Sequence, residues 1–76
     1  MTVEEALQIL KENGYKYTGK REEMIRICAE EKRYLSAKEI MERIRDHYPS
    51  LSFDTVYRNI STFVKLGILE ETELDG

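Results

Sequence analysis

The residues with the most chemistry to offer lie in "LSFDTVYRNISTFVKLG", Leu51 to Gly67. Apolar side chains recur there at helical spacing, and between them stand Asp54, Thr55, Tyr57, Arg58 and Asn59. A guanidinium, a phenol, an amide and hydroxyls on one short helix match the needs of major-groove readout. Arginine can grip guanine O6 and N7 with two hydrogen bonds, asparagine suits adenine, and an aromatic edge packs on the thymine methyl. Ser52 and Thr55, at the helix start, can meet phosphate with help from free backbone N–H groups and the positive helix end. The plainer alternative is an ordinary amphipathic surface, with Asp54 as a first-turn dipole complement and Lys65 as its last-turn counterpart.

A second cluster, "YKYTGKRE" from Tyr15 to Glu22, places Lys16, Lys20 and Arg21 close together, with two tyrosines interleaved. Basic residues at a helix N-terminus oppose the helix dipole, which suggests a phosphate-facing role. A solvated loop explains the same spacing.

Four helices must position these groups. Thr2 and Glu5 form a capping box, Val3, Ala6, Leu7 and Leu10 follow at helical spacing, and Gly14 is a left-handed C-cap. Thr18 caps a second helix, about Gly19 to Glu31, with Met24, Ile25, Ile27 and Cys28 as its buried stripe. Ser36 and Glu39 open a third, with Ala37, Ile40, Met41 and Ile44 facing inward, and Pro49 forbids its continuation. Ser52 caps the fourth, where Phe53, Val56, Ile60, Phe63 and Val64 share the core face, Tyr57 keeps its ring near the core, and Gly67 closes the helix. On the wheel Thr55, Arg58, Thr62 and Lys65 point away from the core.

After Gly67 the period changes. Ile68 to Leu74 is β-tolerant, and Asp75-Gly76 is a hairpin signal whose second strand would lie past the last residue. The expected fold is therefore mainly α, a winged helix-turn-helix over residues 1–76: about four helices, then the start of a two-stranded β wing. The chain is expected to be a piece of a longer protein.

Composition narrows the classes. Apolar residues make up 41% and charged residues 36% of 76, which suits one small globular domain. The longest apolar run is Ile27-Cys28-Ala29, far short of the roughly 20 residues a membrane span needs. One cysteine suits a reducing cytoplasm. A net charge of −3 argues against a nucleic-acid partner until its distribution is considered. Glu70, Glu71, Glu73 and Asp75 crowd the last seven residues, and without them 12 basic residues face 11 acidic. An enzyme fails on inventory: the lone His47, the lone Cys28 and the carboxylates show no nucleophile-and-base spacing. A winged helix used for protein–protein contact remains a competing function.

Together "TGKREEMIRIC" and "LSAKEIMERIRDHYPSLSFDTVYRNISTFVKLGILEE" resemble the N-terminal half of ferric uptake regulator (Fur) family proteins. The signature is S-x-x-T-V-Y-R-N-hydrophobic, here Ser52 and Thr55 to Ile60, followed by L-G-I-L-E, here Leu66 to Glu70. The segments "KENGYKYT" and "LSFDTVYRN" look closest to the zinc uptake regulator branch. The resemblance implies a metal-dependent transcriptional repressor that binds a double-stranded DNA operator. It implies a homodimer in the full-length protein, with zinc or iron held by a second, C-terminal domain.

By that resemblance Tyr57 and Arg58 contact bases and Lys16 enters the neighbouring minor groove. Thr18, Arg21, Ser52, Thr55 and Asn59 make phosphate or supporting contacts, and Ala37's helix braces the reader. One Cys and one His cannot complete a structural zinc site, which takes about four ligands. Cys28 is expected in the core and His47 on the surface near a helix C-terminus. Peroxide-sensing relatives carry a metal-binding His where Tyr34 stands here, which argues against that chemistry.

Overall fold

Each helix begins with a side-chain oxygen that takes the place of a missing backbone acceptor. Thr2, Thr18, Ser36 and Ser52 are extended N-cap residues, and each accepts a hydrogen bond from the backbone N–H three residues on. They open α1 (Val3–Glu12), α2 (Gly19–Glu30), α3 (Ala37–Ile44) and α4 (Phe53–Lys65). At Thr2 and Ser36 the capping box is complete, with Glu5 and Glu39 reaching back to the cap N–H. The structure, a computed structural model, describes residues 1–31 and 33–70. No strand occurs among the described residues, and the expected hairpin turn at Asp75-Gly76 lies outside them. Among the described residues no helix is long and apolar enough to cross a membrane.

Two of the helices end alike. After α1, Gly14 takes a φ of 86°, Tyr15 N–H donates to Leu10 C=O at 3.0 Å, and Gly14 N–H donates to Lys11 C=O at 3.1 Å. After α4, Gly67 takes a φ of 77°, Ile68 N–H donates to Phe63 C=O at 2.8 Å, and Gly67 N–H donates to Val64 C=O at 3.1 Å. Both are Schellman endings, which need a left-handed residue and fold the next apolar side chain back onto the helix. Tyr15 and Ile68 accordingly pack against the core.

Packing runs in chain order, α1 on α2, α2 on α3, and α3 on α4. Met24 of α2, Ile44 of α3, and Val56 and Phe63 of α4 are fully enclosed. Ala6, Leu10, Ile25, Ile27, Ile40, Met41 and Leu51 complete the buried set. The turn between α3 and α4 is short and anchored by buried Leu51, whose N–H donates to Tyr48 C=O at 3.1 Å. Arg43 of α3 also reaches Glu31, the C-cap of α2, at 2.7 Å.

Phe53, expected in the core, and Tyr57, expected with its ring near it, are placed differently. Phe53 is 48% exposed and stands outside the core, because a helical wheel gives an angle but not an axial position. Phe53 shares the angle of Ile60 but starts the helix, a turn before the first enclosed residue, Val56. Tyr57 is also turned outward, 55% exposed. Cys28 is half-buried at the edge of the core.

Two outcomes follow. In urea unfolding, Phe63→Ala should cost about 3–5 kcal/mol, much of the stability of a domain this small. Phe53→Ala should cost less than about 1 kcal/mol, since half of that ring is already in water. Acid sensitivity should follow Glu39. Arg33, 2.5 Å away, and then the Ser36 N–H hold its carboxyl down at about 2, against an ordinary 4.5. A depressed carboxyl stabilises the fold above its unfolded value and loses that contribution as pH falls from 4.5 toward 2. Helicity followed by circular dichroism should drop across that window, and Glu39→Gln should flatten that part of the curve.

Candidate nucleic-acid interface

Burial of Val56 and Phe63 fixes which side of α4 faces out. On that outer side Arg58 has a side chain 80% exposed, and Nη2 sits 2.9 Å from the Asp54 carboxylate one turn earlier. Tyr57 stacks on Phe53, their ring centroids 6.2 Å apart and their planes 29° apart. The N-terminal half of α4 thus projects a guanidinium beside a pair of aromatic rings. Phe53 is a member of this surface that its helical-wheel angle concealed.

The remaining expected site residues form one hydrogen-bonded chain. Arg21 Nη1 donates to the Lys16 carbonyl at 2.7 Å, and Arg21 Nε donates to Asn59 Oδ1 at 3.1 Å. Asn59 Nδ2 donates to the Thr55 carbonyl at 3.0 Å. The Thr55 and Ser52 hydroxyls are 2.9 Å apart, and Ser52 Oγ also accepts from Thr55 N–H at 3.2 Å. Thr18 joins through its hydroxyl, which accepts from Arg21 N–H at 3.2 Å. The network therefore brings Lys16, Thr18 and Arg21, at the start of α2, against Ser52, Thr55 and Asn59 on α4. Tyr57 and Arg58 stand outside it, facing solvent.

Arg21 is the junction. Its guanidinium carbon lies 5.5 Å from the centroid of the Tyr15 ring, the same Tyr15 that the Schellman ending of α1 folds back. Lys16 and Lys20 are exposed, whereas Arg21 is half-buried. Tyr17 donates to Glu22 at 2.6 Å, and Glu22 pairs with Arg26 at 2.6 Å, so these side chains are held along α2. Spacing alone suggested a basic cluster here; only the folded chain shows that its arginine turns inward and its lysines outward.

Among the described residues no group of three or more His, Cys, Asp or Glu is arranged to hold a metal ion. Burial pushes the Cys28 thiol up to about 11, away from the thiolate form. His47 is exposed, with Nε2 3.4 Å from Glu23 Oε1. Tyr34 is exposed, and its hydroxyl lies 3.2 Å from Glu70 Oε2.

Comparison with known proteins follows the same line. The sequence profile of the ferric uptake regulator family matches residues 12–76. The chain is 53% identical over all 76 residues to a ferric uptake regulation protein of Staphylococcus aureus, of which it covers 56%. It is equally similar, at 53%, to a ferric uptake regulation protein of Staphylococcus epidermidis, covering 55% of that protein. The chain thus spans just over half the length of these relatives. Its structure matches the ferric uptake regulator Fur of Helicobacter pylori, a protein with three functional metal binding sites. The TM-score is 0.75 at 30% identity, over 86% of this chain and 46% of that one. A T-V-Y-R-N helix held outward on a four-helix frame, and a family profile that runs through it, agree: the chain belongs to the ferric uptake regulator family.

Proposed function

We propose that residues 1–76 are the DNA-reading part of a metal-dependent transcriptional repressor. The observation that carries this reading is the state of Arg58. Its partner is an exposed carboxylate one turn away, and such pairs contribute only about 0.3–0.5 kcal/mol. So weak a pair leaves Arg58 free to turn to a guanine edge, where a bidentate contact discriminates between bases by about 1–3 kcal/mol. Tyr57, with Phe53 behind it, supplies the apolar edge for a thymine methyl. Lys16 is the minor-groove residue. Thr18, Ser52, Thr55 and Asn59 hold these groups in register and meet phosphate where their hydroxyls and amide remain accessible.

Metal control would belong to the part of the full-length protein that lies outside this chain. In a homodimer, metal binding would set the spacing of two readers, and linkage would turn two weak contacts into a firm one. The zinc preference rests on "KENGYKYT" and "LSFDTVYRN". The relatives' name, ferric uptake regulation protein, favours iron. Titrating metal-free full-length protein with each ion while following DNA binding decides between them: the co-repressor is the ion that tightens binding near its cellular concentration.

Arg58→Ala in the full-length protein should weaken binding to its selected duplex by about 1–3 kcal/mol and relax preference at one base position. Unchanged affinity and preference would refute the base-reading role. The competing protein–protein module separates by salt. DNA binding through several phosphates should weaken steeply between low and physiological salt, while a partner held by an apolar face should respond little.

A further inference from the structure

Arg21 lies within a basic cluster, and its charge alone would suit a phosphate. Its geometry argues otherwise. The planar guanidinium is committed on three sides: Nε to Asn59 on α4, Nη1 to the Lys16 carbonyl, and its face to Tyr15. Asn59 is orientated by its own second bond. With Nδ2 given to the Thr55 carbonyl, Oδ1 must face Arg21, so donor and acceptor match at both ends. The link between Arg21 and Asn59 spans 38 residues of sequence and is partly buried. These bonds fix where the guanidinium lies, whereas the neighbouring Lys16 and Lys20 are exposed and available to phosphate.

We propose that Arg21 is a positioning residue that fixes the backbone of Lys16 against the reading helix, rather than a phosphate contact. This rests on the DNA-reading function proposed above. A lysine carries a long, mobile stem, so the distance between its groove and that of Tyr57 and Arg58 is set by where its backbone is anchored. Arg21 provides that anchor from a half-buried site, and Asn59 is its counterpart on α4. Holding Lys16 in place beforehand removes part of the ordering cost of binding. Lysine cannot replace Arg21 in this task. It retains the charge but lacks the fork that reaches two acceptors at once.

The test uses the full-length protein and a duplex selected by the wild-type protein from random-sequence DNA. Dissociation constants are compared for the wild type, Arg21→Lys, Arg21→Gln, Asn59→Ala, Lys16→Ala and the Arg21→Gln/Lys16→Ala pair. Melting temperatures without DNA report on folding. Losing a charge-assisted hydrogen bond predicts that Arg21→Lys and Arg21→Gln both weaken binding, each about tenfold, while both variants remain folded at the assay temperature. Asn59→Ala, which leaves the Arg21 charge intact, should weaken it comparably. In the Arg21→Gln background, Lys16→Ala should add less than about a twofold further loss, since the two act as a unit.

Arg21→Lys binding as tightly as the wild type while Arg21→Gln fails would make Arg21 a phosphate contact and overturn the proposal alone. Fully additive losses for Arg21→Gln and Lys16→Ala would do the same. A fall in melting temperature that accounts for the binding loss would reduce Arg21 to a stability residue, also against it. A wild-type protein that selects no duplex would overturn the DNA-reading function itself, and this inference with it.

Discussion

The enclosure of Met24, Ile44, Val56 and Phe63 is the constraint on which everything else rests. A domain of this length buries only about 60% of the surface of its unfolded chain, so a few side chains must set the helix arrangement. These four come from α2, α3 and α4, and their mutual burial leaves α4 one way to lie. With Val56 and Phe63 inward, Arg58 is outward by necessity. The chemistry of the surface is thus a consequence of two buried residues on the same helix.

A second layer of order is polar and local. Two left-handed glycines end α1 and α4 in the same manner, and in each case the next apolar residue returns to the core. The first ending matters for the surface. It brings Tyr15 back, Tyr15 offers its ring to Arg21, and Arg21 reaches Lys16 on one side and Asn59 on the other. An exposed loop is thereby joined to a helix far away in sequence without a large apolar contact. Hydrogen bonds of this kind contribute modestly to stability, about 1 kcal/mol each, but they are directional and so define position.

Four of the carboxylates have local structural work. Glu5 and Glu39 complete capping boxes, Glu22 pairs with Arg26, and Glu31 pairs with Arg43. Partner hydrogen bonds hold each of these four carboxyls below its ordinary value. They serve helix ends and helix contacts. Asp54 is the carboxylate set within the candidate interface, where it occupies Arg58 in the free protein. A net charge of −3 is therefore a poor guide to the local face, as the counting of residues already suggested.

Helix starts, helix ends and the buried stripes were all legible in the residues, because caps, left-handed glycines and helical periodicity act over a few neighbours. Four side-chain N-caps, two glycine endings and the outward direction of Arg58 follow from spacing alone. The family was legible too, in Ser52, Thr55 to Ile60 and Leu66 to Glu70. The exposure of Phe53 was not, since periodicity gives a residue's angle about the helix but not whether the neighbouring helices extend that far. Nor was the bond between Arg21 and Asn59, because no local rule relates residues 38 apart. Sequence determined which groups each helix carries and on which face. Tertiary packing decided which of those groups meet, because only the burial of the shared core sets the distance between one helix and the next.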